Sequence, residues 1–170
     1  MRRFLELKHW HLFLLIVICG SWSSPSPLEE IIHGIATLAM TGWLYAIGVY
    51  GHRQMMDLGL SPMKIQLFRF NVLLVGITFL CSFIWSPYIV ESGSFQLTDI
   101  PIGIFSLYVF YAVIQVVFFV CKILAKNERK SEVTFLDYLT YLIFMGILPV
   151  GIWIIQPKVN RIFVKPFTAS

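Results

Sequence analysis

Apolar positions run through this chain in long blocks separated by short polar stretches. Four blocks, at about 4–22, 27–50, 62–86 and 100–125, reach the roughly 20 residues that a helix needs to cross a bilayer. A fifth, at 134–156, is as long but interrupted, and a basic amphipathic tail at 157–170 follows it. The pattern predicts an all-α membrane protein. It reads as a four-helix bundle in a single domain over 1–170, with a C-terminal re-entrant or interfacial helical hairpin.

Punctuation between the blocks supports that reading. Ser26, Pro27 and Glu29 supply an N-cap, a first-turn proline and a capping-box acid for the second block, meeting donors that lipid cannot meet. Ser61 as cap and Pro62 as first helical residue open the third block the same way. The fourth starts near Asp99 and Pro101 and ends where Lys122, Lys126, Arg129 and Lys130 accumulate. The first block has a second reading. Arg2, Arg3 and Lys8, a short apolar region, and Ser21 and Ser23 also match a cleaved signal peptide.

Basic residues give an orientation. The stretches 23–30 and 86–100 contain no Lys or Arg, whereas the N-terminus, 51–69 and 122–130 carry ten between them. By the positive-inside rule, both ends of the four-span unit face the cytoplasm. Lys158, Arg161 and Lys165 would break that bias if 134–156 crossed the membrane. Pro149 and Gly151 offer a helix break at which the segment can turn back, so the pattern favours a hairpin over a fifth crossing. Backbone interrupted at depth needs protein around it, and the hairpin is therefore expected to pack on the bundle.

Composition narrows the class further. Charged residues make up 13% of the 170, about half the share in an average soluble domain, and 58% are hydrophobic, which excludes both a water-soluble fold and disorder. The net charge of +4 comes from bases beside apolar blocks, so lipid headgroups rather than nucleic acid are the expected partners. Cys19, Cys81 and Cys121 lie singly in apolar runs and read as buried free thiols.

Three segments carry a resemblance. Leu7-Lys8-His9-Trp10 with the apolar run after it, Val133-Thr134-Phe135-Leu136-Asp137-Tyr138, and the run from Leu148-Pro149-Val150-Gly151-Ile152-Trp153 through Gln156-Pro157-Lys158 to Asn160, Arg161 and Phe163 resemble a family of small uncharacterised multi-pass membrane proteins of Gram-negative bacteria. The resemblance covers the two ends, and the middle only by hydropathy. It implies a bacterial inner-membrane location with a cytoplasmic N-terminus, and no chemistry. Members of the family often have an acid a few positions after the aspartate. This chain has Thr140 or Tyr141 there, so a shared carboxylate site is not implied.

Candidate polar sites are few. Tyr108, Tyr111, Gln115 and Lys122 fall close to one stripe of the fourth block, where they can line a wet cavity, hold a headgroup or bond neighbouring helices. Asn71, Thr78 and Ser82 form a similar stripe on the third. Asp137 is an acid inside the last block, yet Thr134 three residues earlier reads as its capping-box partner. Thr37 with Thr41, and Gly42 with Ala46, have the small-xxx-small spacing of close helix contact. Arg53, Lys64, Arg129 and Lys130 form a basic surface suited to anionic lipid. His9 and His11 lie two apart and share no helical face, and His33 and His52 sit at opposite ends of the second block. Tryptophans, Trp43 and Trp153 among them, read mostly as headgroup-zone markers.

No HExxH, GxSxG or Walker motif is present. Neither catalysis, a metal nor a cofactor is expected. Three functions remain: an accessory or scaffold subunit that binds another membrane protein, a homo-oligomeric pore or small-solute carrier, and a membrane stress, immunity or lipid-interacting protein. Parsimony favours the first.

Overall fold

A computed structural model describes residue 11 and residues 27–85 and 99–163. The first apolar block with its signal-peptide alternative, the Ser26 cap, His9 and residues 86–98 lie outside the described residues. Those described form five helices and no strand: α1 Pro27–Asp57, α2 Ile65–Trp85, α3 Asp99–Arg129, α4 Phe135–Gly146 and α5 Leu148–Phe163. The all-helical reading holds. Two helices, α1 over Ile31–Asp57 and α3 over Pro101–Arg129, are long and apolar enough to cross a membrane.

α3 is the axis of the assembly, packing against all four other helices, whereas α2 touches neither α4 nor α5. Trp43, Phe68, Phe119, Ile123, Ile152 and Ile155 are buried along it, with the Phe68 and Phe119 rings stacked at 4.3 Å. Glycines set how closely the helices approach. A Cβ on Gly48 would lie 2.2 Å from the Phe68 ring, and one on Gly51 2.2 Å from the Ile123 side chain. The exterior is apolar instead: Leu38, Leu73, Ile77, Leu107 and Phe110 are each more than half exposed.

Several boundaries differ from the sequence pattern. α1 continues two turns past residue 50, to Asp57. α2 begins at Ile65, not at Pro62: the Ser61 carbonyl, which would accept the first bond of a helix capped there, is taken by Lys126 at 3.1 Å, and its N–H donates to the Glu132 carboxylate at 2.7 Å. The chain reverses at Ile147, ahead of Pro149 and Gly151, which both sit in the first turn of α5. A proline fits there because a first-turn residue needs no N–H donor. Gly151 allows the reversal in another way. A Cβ on it would fall 1.7 Å from the Phe144 carbonyl oxygen.

The hairpin is short. α4 has 12 residues, or about 18 Å at 1.5 Å per residue. Its returning helix, α5, brings Lys158 and Arg161 back to Glu128 near the end of α3. Consequently the C-terminal ends of α1, α3 and α5 and the N-terminal ends of α2 and α4 meet at one charged pole.

Candidate functional site

Three polar groupings are built into the bundle. The first lies between α2 and α3. Asn71, fully buried on α2, donates through Nδ2 to Gln115 Oε1 at 3.2 Å, and its Oδ1 accepts from the Tyr108 hydroxyl at 2.9 Å. Tyr111 is half exposed, its ring 5.9 Å from that of Tyr108. Lys122, seven residues beyond Gln115, makes no ion pair among the described residues. Asn71, Tyr108 and Gln115 thus meet as one interhelical cluster.

The second grouping crosses the core. The Trp43 indole N–H donates to Gln156 Oε1 at 2.6 Å, and Gln156 Nε2 donates onward to Asn160 Oδ1 at 3.1 Å. Trp43 and Gln156 are both fully buried, so Trp43 is not a headgroup-zone residue. Nearby, Asn127 Nδ2 donates to the Gly51 carbonyl at 3.0 Å and thereby ties α3 to α1.

The charged pole is the third. Glu128 accepts from the Tyr141 hydroxyl, from Lys158 Nζ at 3.1 Å and from Arg161 Nη2 at 3.1 Å. Lys158 also stands 4.8 Å above the Tyr141 ring. One carboxylate therefore holds α4 and α5 against α3. Beside it, Lys126, 2% exposed, pairs with Glu132 at 2.7 Å and donates to the Ser61 carbonyl at 3.1 Å. The Lys126 ammonium and the Ser61 N–H hold the Glu132 carboxyl down at about 2. Asp137 Oδ2 accepts from the Thr134 N–H at 2.7 Å and its hydroxyl at 2.9 Å, and Oδ1 pairs with Arg129 at 2.5 Å. Those Thr134 bonds, with the Arg129 charge, hold Asp137 below the usual carboxylate range.

The remaining sequence candidates separate. Thr41 packs on Gly76 of α2, where an added Cβ would come within 2.8 Å of Thr41, and Ala46 is fully buried. Thr37 and Gly42 are half-buried. Arg53 and Lys64 are exposed without an ion-pair partner among the described residues, and so is Arg69, which the sequence reading passed over. Arg129 differs from these because Asp137 takes it up. Lys130 is exposed, in a left-handed turn at φ 54°.

Sequence reasoning missed the Glu128 and Gln156 connections. A signal existed for each: Lys158 and Arg161 are spaced to share one helical face, and Gln156 is a carboxamide set directly after Ile154 and Ile155. Among the described residues, no group of three or more His, Cys, Asp or Glu is placed to hold a metal ion. No protein-family model, curated protein or solved structure matches this chain.

Proposed function

We propose that this chain is a multi-pass protein of the bacterial inner membrane, N-terminus cytoplasmic, that serves as an accessory or scaffold subunit of a larger membrane complex. The observation carrying this is how the polar side chains are used. Asn71, Tyr108 and Gln115 bond one another, and Trp43, Gln156 and Asn160 do the same, so these groups fix helices instead of bordering an open passage. The apolar exterior supports the membrane setting. Only 22% and 28% of the apolar windows of α1 and α3 are buried, which is low for core helices of a water-soluble bundle.

In this reading α1, α2 and α3 cross the bilayer, and the α4–α5 hairpin enters from the cytoplasmic face and returns. The return of Lys158 and Arg161 to Glu128 supports that topology, since it keeps their charges on the basic side. The native mass of the protein, extracted gently from its own membrane, tests the function. A stoichiometric larger partner is expected. A closed ring of this chain alone would overturn the proposal in favour of a pore.

A second reading, contact with anionic lipid, draws on Arg53, Lys64 and Arg69, exposed cations near the charged pole with no acid spent on them among the described residues. Charge reversal at Arg53 and Lys64 should abolish any preference for anionic vesicles. Unchanged binding would rule that reading out.

A further inference from the structure

Helices α2 and α4 both pack on α3 and do not touch each other, so among the described residues α3 floors a groove between them, in which Tyr111 and Phe118 are exposed. Its side chains are located by their neighbours. Gln115 bonds Asn71 on the α2 wall, and Phe118 packs against Phe135 and Tyr138 on the α4 wall. Tyr111 and Lys122 lie four residues before and seven after Gln115, within about 40° of it around the helix.

This groove holds donors that no described residue accepts from. Asn71 occupies the Gln115 carbonyl oxygen. Among the described residues, the Gln115 amide nitrogen, the Tyr111 hydroxyl and the Lys122 ammonium make no hydrogen bond or ion pair. Tyr111 is 50% exposed, and Gln115 stands near the middle of a 31-residue helix. Lipid at that depth offers no acceptor, so donors there are costly until another chain meets them.

We propose that the groove between α2 and α4 is the docking site for a transmembrane helix of a partner protein, one that sets a carboxylate opposite Lys122 and a hydrogen-bond acceptor about two turns deeper, opposite Gln115 and Tyr111. The proposal deepens the accessory-subunit reading and rests on it. A second copy of this chain fits poorly. Each of its nine acids falls outside the apolar blocks or within the first four residues of one, and Asp137 is already taken up by Thr134 and Arg129. A phospholipid fits no better, because its acyl chains bring no acceptor to the level of Gln115.

The test is photocrosslinking in native membranes, with p-benzoylphenylalanine in place of Phe118 and, as control, in place of Ile77 on the exposed face of α2. Phe118 is expected to give one discrete adduct with a different protein, through a peptide from an apolar segment containing Asp or Glu. Lys122→Glu should reduce that adduct tenfold or more, and a lysine in place of the partner's acid should restore it. Tyr111→Phe should weaken it severalfold. If Lys122→Glu does not accumulate in the membrane, Lys122→Met is expected to show the same loss. An adduct with a second copy, adducts with lipid only, or a heteromeric adduct unaffected by removing the Lys122 charge would overturn the proposal. A stoichiometric partner by native mass with no Phe118 adduct would sink the groove and leave the accessory reading standing. The chain found alone would sink both.

Discussion

Trp43 and Gln156, 113 residues apart in sequence, meet in the interior through a 2.6 Å hydrogen bond between side chains with no exposed surface. Gln156→Leu would leave the indole N–H buried without an acceptor, at a cost of roughly 1–3 kcal/mol. Trp43→Phe would instead take the indole donor away from Gln156 Oε1. Because both changes break one bond, the Trp43→Phe/Gln156→Leu double variant should lose less than the sum of the two. Thermal unfolding in detergent measures all three; strict additivity would mean that the bond contributes nothing.

Gly151 touches the Phe144 backbone too closely for any side chain. Gly151→Ala should destabilise by about 3 kcal/mol or open the hairpin outright, since the obstructing atom is a carbonyl oxygen that cannot rotate away. Gly146 is the matched control. A Cβ there meets nothing within 4 Å, so Gly146→Ala should be tolerated. Equal melting temperatures for the two variants would contradict this packing.

Acid should unlock the two loops at the charged pole. The Glu132 carboxyl titrates at about 2, below its ordinary 4.5, so the stability it contributes is present above pH 4.5 and fades as pH falls toward 2. Protection of the Ser61 amide, its exchange rate taken relative to the intrinsic rate at each pH, should fall through that window. Glu132→Gln should exchange fast at every pH, and a flat wild-type profile would remove Glu132 from the latch.

Cysteine labelling tests the hairpin directly. With the native cysteines replaced, a cysteine at Ser170 should react only after the cytoplasmic side is opened. Labelling from outside intact cells would make 134–156 a true crossing.

Polar stripes proved more readable than contacts between distant segments. Tyr108 and Gln115 are seven residues apart on one predicted helix, a spacing visible in the sequence, and the structure sets both against Asn71. Thr134 and Asp137 were legible for the same local reason. Trp43 was not, because an indole in an apolar block looks alike whether it faces headgroups or a carboxamide from the far end of the chain. Lys126 misled in a similar way. It reads as one more base in a topogenic cluster, yet it is buried, and its partner Glu132 lies across a turn whose shape is set by Lys130 in the left-handed region. The turn at Ile147 escaped notice because Pro149 and Gly151 advertise a break, while a proline equally begins a helix.

Glu128 has a consequence for how the protein is made. The ribosome delivers α3, with its carboxylate, before Tyr141, and Lys158 and Arg161 come later still. Each crossing segment proposed here has therefore been synthesised while that acid still waits for its donors. A nascent chain halted before residue 158 would own all of those segments and lack the fastening of α5 to α3. A molecule that carries α5 thus differs from one truncated before it by whether Glu128 is covered.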